Sequence, residues 1–110
     1  MDLRVVSEVW PLSEAFVISR GAKTEVHVVV VELEQGGLLG RGEGVPYGRF
    51  GETVAGVVAQ IEQHRGAICA GIDRRRLRHT MPAGAARNAV DCALWDLESA
   101  RANVPVWQLA

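Results

Sequence analysis

Polar and apolar residues alternate with period two at the start of the chain and with period three to four towards its end. Between Asp2 and Trp10, Leu3, Val5 and Val9 stand against Asp2, Arg4 and Glu8, the signature of a strand with one wet face. Trp10-Pro11-Leu12 should end that strand, because proline has no N–H to give the ladder. Residues 13–25 carry Phe16, Val17 and Ile18 and then Ser19-Arg20-Gly21-Ala22-Lys23-Thr24, which reads as a loop with two cations and a glycine hinge. Val26 to Leu33 is a β-branched run with strand preference, and Val28 to Val31 is apolar at every position, so both faces there should be covered. Glu34-Gln35-Gly36-Gly37 supplies a hairpin turn and Leu38 to Glu43 returns, giving a three-stranded antiparallel meander.

After a glycine-punctuated loop, Gly44 to Gly51, the period lengthens. Glu52 and Thr53 open a helix whose inward stripe, Val54, Val57, Val58, Ile61 and Ile68, runs to about Cys69. Asp73 can cap a short helix from Arg74 to His79 around Leu77. A long helix follows, with Pro82 in its first turn and Ala86, Val90, Ala93, Leu94 and Leu97 as its stripe. Asn103 can take a left-handed conformation past its end, and Pro105 forbids resumption. Its length is about 19 residues, roughly 28 Å. Small or apolar side chains cover most of its girth, which predicts a second layer docked on its outer side. Strands followed by helices, without βαβ alternation, make an α+β fold.

Composition narrows the function classes. A chain of 110 residues, 48% hydrophobic and 23% charged, is one globular domain. A formal net charge of −1 gives no pull towards nucleic acid or an anionic membrane. No apolar run approaches the 18 or so residues that span a bilayer, and the N-terminus lacks a signal-peptide layout. Cys69 and Cys92 form no disulfide framework, and no ligand spacing suggests zinc. These features point to the cytoplasm.

Candidate chemistry is sparse. Gly40-Arg-Gly-Glu-Gly44 lacks the GK[ST] of a phosphate loop and is better explained by close backbone approach in a strand. Arg74-Arg75-Arg76-Leu77-Arg78-His79 reads as a solvated helix face, and His27, His64 and His79 have no ligand spacing. Asp91, four residues after Arg87, has an intrahelical ion pair within reach, and Asp96 should sit at a layer boundary; both read as structural. Arg20 and Lys23 beside one glycine, with Tyr47 and Phe50 in the other glycine loop, form a different pattern. Short loops at one end of a meander would hold them near each other, where binding residues concentrate, although a plain surface turn explains them at least as well.

Phe16-Val-Ile-Ser-Arg-Gly-Ala-Lys-Thr24, Gly42-Glu-Gly-Val-Pro-Tyr-Gly-Arg-Phe-Gly-Glu-Thr53 and Pro82-Ala-Gly-Ala-Ala-Arg-Asn-Ala-Val-Asp-Cys-Ala-Leu-Trp-Asp-Leu97 occur in this order and spacing. Together they resemble the N-terminal capping domain of dipeptide epimerases of the L-Ala-D/L-Glu type, in the muconate-lactonizing branch of the enolase superfamily. The resemblance runs over essentially the whole chain. It implies an enolase N-terminal domain-like α+β cap, residues 1–110, that closes over a C-terminal (β/α) barrel domain not encoded here. It also implies Mg²⁺ held by barrel carboxylates, two barrel lysines that exchange the α-proton of a dipeptide such as L-Ala-L-Glu, and no nucleic-acid or membrane partner; a homo-oligomer is compatible with it. Carried over residue by residue, the likeness puts Arg20 and Lys23 on the loop that closes over the substrate, and Tyr47, Arg49 and Phe50 on the companion loop that walls the pocket. Lys23 is the single lysine, so a two-lysine proton relay does not come from these residues, and turnover by this chain alone is not expected. Sister reactions of the superfamily (muconate cycloisomerase, o-succinylbenzoate synthase, acid-sugar dehydratase) differ in barrel residues outside this sequence. A free-standing interaction module would instead show a polar outer face on the long helix, where a barrel cap would show an apolar one.

Overall fold

In the computed structural model, which describes residues 1–18, 21–48 and 51–103 except the side chains of 11–18 and 21–25, the alternating segments pair as an antiparallel meander in the order β1-β2-β3. The strands are β1 (Asp2–Ile18), β2 (Gly21–Gln35) and β3 (Leu38–Gly44). Register is set by the apolar face: Leu3 lies opposite Leu33, Val5 opposite Val31, and Val29 opposite Gly44.

The first strand does not end at Trp10. Pairing shifts register between Pro11 and Phe16 and then resumes, with Phe16 opposite Lys23 and Ile18 opposite Gly21. Proline is tolerated because β1 is an edge strand and the irregularity absorbs its missing donor, after which the strand-forming Phe16-Val17-Ile18 pairs again. The segment expected to be a loop is therefore the far half of a long hairpin. Beyond Val29, where β3 ends, β2 continues back to Gly21, roughly 26 Å at about 3.3 Å per residue.

Among the described residues four helices follow: α1 (Val54–Gln63), α2 (Arg65–Cys69), α3 (Arg74–Thr80) and α4 (Ala85–Ala102). The first helix is broken at His64, where one helix was expected to run on. The His64 ring bonds the Gln60 carbonyl at 2.9 Å, and the His64 N–H turns to the Ile61 carbonyl at 3.0 Å. Thr53 caps α1 through the Gly56 N–H (3.0 Å), and Asp73 caps α3 through the Arg76 N–H (2.7 Å). Arg65 grips the Glu62 carboxylate through Nε and Nη2, both at 2.7 Å, and gives Nη1 to the Leu3 carbonyl at 2.8 Å, tying α2 to β1. That hydrogen bonding holds the exposed Glu62 carboxyl below its ordinary range.

The long helix starts later than the sequence suggests. Met81 is extended, as a residue before proline prefers, and its N–H closes α3 on the Leu77 carbonyl. Pro82 thus lies in the connection, and Gly84, at φ +155°, is the N-cap. At the other end Asn103 adopts the expected left-handed conformation.

The helices cover one face of the sheet. Val29, Val31 and Leu33 meet Val57, Ile61, Ile68, Leu77, Val90 and Leu97 in a continuous core. The buried stripe of α4 (Ala85, Ala86, Ala89, Val90, Ala93, Leu94, Leu97) is confined to this side. Its small residues serve the sheet: Cβ atoms added at Gly40, Gly42 or Gly44 of β3 would run into the α4 backbone at Ala93, Ala89 and Ala85. The outer side of α4 carries Asn88 and Cys92 exposed, with Asp91 and Trp95 partly so, and none of the large hydrophobic residues exposed among the described residues lies on this helix. The apolar outer patch expected there is absent, because the alanines were needed for close approach rather than for a second layer. On the other face of the sheet Val28 and Val30 are buried as well. There Arg41 on β3 reaches across β2 to Glu8 on β1 at 3.4 Å, passing over Val30, while the Trp10 indole donates to Glu8 at 2.8 Å.

Candidate functional site

Topology brings two segments to the same end of the sheet. The β1–β2 hairpin runs on past β3, and the connection from β3 to α1 leaves from the Val29–Gly44 pair at that end. Of the five exposed large hydrophobics among the described residues, Val9, Val45 and Tyr47 lie there, and Leu38 and Leu39 lie at the opposite hairpin. Three of these five exposed side chains thus lie at the end of the sheet that both segments share.

The connection is a closed loop. Gly51 donates its N–H to the Gly48 carbonyl at 2.9 Å and Glu52 to the Tyr47 carbonyl at 3.3 Å, with Gly51 at φ +74°. The Glu52 carboxylate closes it a second time, accepting the Tyr47 N–H on Oε1 at 3.0 Å. Its other oxygen, Oε2, accepts the N–H of Ala85 at 2.8 Å, the first residue of α4. Gly84 offers no side chain to cap that helix, so Glu52 does so from another segment and places its charge at the positive end of the helix dipole. Nothing in the periodicity reveals this role, since Glu52 reads as the opening of α1. The available signal was a long helix preceded by glycine, which needs an acceptor from elsewhere.

Of the residues singled out from the sequence, Tyr47 is exposed (49%) on this loop. Lys23 lies in the hairpin opposite Phe16, with only its backbone described. Arg20, Arg49 and Phe50 lie outside the described residues.

The remaining candidates have structural duties. Asp96 accepts the Arg41 N–H at 2.8 Å, holding edge strand β3 to α4. Arg87 donates to the Met81 carbonyl at 3.4 Å and makes no ion pair with Asp91, whose Oδ1 is buried without a partner. Arg74 stacks over Trp95, 3.2 Å from the ring centroid, and bonds Glu98, while Arg75, Arg78 and His79 face solvent. Burial, and then the charges of Asp91 and Glu43, push the Cys92 thiol up, so it is a poor nucleophile. Among the described residues no group of three or more His, Cys, Asp or Glu could hold a metal ion, and no helix is long and apolar enough to cross a membrane.

Comparison with known proteins agrees with this architecture. The chain is 52% identical over 99 residues to the L-Ala-D/L-Glu epimerase of Escherichia coli K12, covering 90% of this chain and 31% of that protein. A solved enolase family member from Agrobacterium tumefaciens with homology to dipeptide epimerases, bound to sodium and L-Ala-L-Glu, superposes with a TM-score of 0.90 at 42% identity, over 97% of this chain and 33% of that one. The dipeptide epimerase of Enterococcus faecalis V583, complexed with Mg and L-Leu-L-Tyr, does so at 0.81 and 32% identity, again over 97% and 33%. The chain thus spans about a third of the length of the relatives it matches. All of residues 1–110 match the family described as mandelate racemase / muconate lactonizing enzyme, N-terminal domain, and the chain belongs to that family.

Proposed function

We propose that this chain is the substrate-selecting cap of a cytoplasmic, Mg²⁺-dependent dipeptide epimerase acting on L-Ala-L-Glu or a close analogue. The observation that carries the reading is the convergence of the long hairpin and the Tyr47 loop at one end of the sheet, where exposed apolar side chains gather. The similarity to dipeptide epimerases supports the choice of substrate class. The barrel, the metal ligands and the lysines that move the α-proton belong to a C-terminal domain outside these residues. In this reading Arg20 and Lys23 bind the acidic side chain of the dipeptide, and Tyr47, Arg49 and Phe50 contribute to its pocket. Arg20 is suited to a carboxylate because its guanidinium can bond it with two parallel N–H groups. The polar outer surface of α4 is what a free-standing module would show; family membership is what argues for a docked barrel.

The test starts with the reading frame beyond Ala110, which should continue into a barrel bearing paired lysines and spaced carboxylates. The product of that frame, with Mg²⁺ in D₂O, should exchange the α-proton of L-Ala-L-Glu. Arg20→Ala combined with Lys23→Ala should then lower kcat/KM for L-Ala-L-Glu about 100-fold, the expected scale for losing a charge-assisted carboxylate contact. Dipeptides without an acidic side chain should lose less than about threefold, because they never made that contact. Equal loss on both substrates would remove Arg20 and Lys23 from the specificity assignment.

A further inference from the structure

The Tyr47 loop is built into the molecule through one carboxylate. Each Glu52 oxygen serves a single backbone N–H, Tyr47 at 3.0 Å and Ala85 at 2.8 Å, from segments that are otherwise far apart in sequence. The space this requires is kept open by Gly84: a Cβ there would lie 2.9 Å from Oε2, at a φ of +155° that a side chain rarely adopts. A carboxylate is the group that can do this, having acceptor capacity on both oxygens and no donor. A glutamine of the same shape has one acceptor and turns an NH₂ towards the second N–H.

We propose that Glu52 is a positioning residue: a strut that locks the Tyr47 loop to the start of α4, so that the rigid helix sets where the pocket wall stands. The inference rests on the reading of this loop as the wall of an epimerase pocket. Helix α4 lies in close contact with β3 along Gly40, Gly42 and Gly44, so the strut ties the loop to a tightly packed part of the fold. Tyr47 then meets the substrate already placed, and little ordering remains to be done on binding.

Glu52→Gln and Gly84→Ala attack the strut from its two ends. In each, the Tyr47 and Ala85 amides should exchange with D₂O about tenfold faster than in the parent protein, while the Ile61 amide keeps its protection relative to global unfolding. In the barrel-bearing enzyme, KM for L-Ala-L-Glu should rise about tenfold with kcat within about twofold, since wall placement acts on binding. Thr53→Ala, which removes the neighbouring α1 cap, serves as the control: it should destabilise the fold without moving KM. Unchanged exchange at Tyr47 in Glu52→Gln would overturn the strut, and so would a loosened loop with an unchanged KM. If the parent enzyme fails to exchange the dipeptide α-proton at all, the epimerase reading falls; amide exchange in the same protein then decides the strut alone.

Discussion

Gly42→Val is expected to destabilise this chain by more than about 4 kcal/mol at 25 °C. Gly42 sits in the middle of β3 beneath α4, and a Cβ there would meet the carbonyl oxygen of Ala89 and the amide nitrogen of Ala93. Both obstacles are backbone, so no rotamer change relieves the overlap. The helix must lift away from β3 along its length, and Ala89, Val90, Ala93 and Leu97, all now buried, lose their packing. Ordinary overpacking costs about 1–3 kcal/mol; displacing a whole helix adds to that and should exceed about 4 kcal/mol. Domains of this size hold only about 5–15 kcal/mol in total, so the substitution would remove about a quarter or more of the stability. Far-ultraviolet circular dichroism with urea titration reads the outcome. Gly48→Ala provides the contrast: no atom lies within 4 Å of its added Cβ and its backbone is unremarkable, so stability should change by less than about 0.5 kcal/mol.

The same interface shows how far periodicity reaches. The meander, the capped α3 and the left-handed Asn103 follow from local chemistry that each segment carries in itself, and all are found. The glycines of β3 were legible as a demand for close approach, but the partner was not, because which helix lies over which strand is a tertiary fact. That is why the alanines of α4 read as a doubly apolar helix when they face one strand. The hairpin beyond Pro11 was hidden for a related reason: a proline reads as a stop, yet on an edge strand a register shift lets pairing resume. The break at His64 depends on a side-chain bond to the Gln60 carbonyl that no hydrophobic pattern encodes. For the site, the resemblance singled out both segments, and Tyr47 is exposed on the second. Glu52 escaped because its function links residues 33 apart in sequence.

Ile61→Ala should cost about 3 kcal/mol and lower the melting temperature by roughly 12 °C while leaving the fold intact. Ile61 is fully buried in the core on α1, and α1 packs on α4, β1 and β2, the elements that would have to close a void there. They cannot collapse into it freely: α4 is pinned to β3 by backbone contact and β2 is hydrogen-bonded on both sides. Ile61→Val, which removes one methyl, should cost only about 1 kcal/mol, and differential scanning calorimetry orders the two. The damage should also stay local. Although α1 begins directly after the Tyr47 loop, that loop is held by Glu52 to α4 rather than by the α1 core. Tyr47 amide protection should therefore survive Ile61→Ala at neutral pH and fall in Glu52→Gln, even though Ile61→Ala is the more destabilising change. If the loop instead loosens in step with α1, its position is inherited from the helix it precedes, and the carboxylate bridge contributes nothing independent.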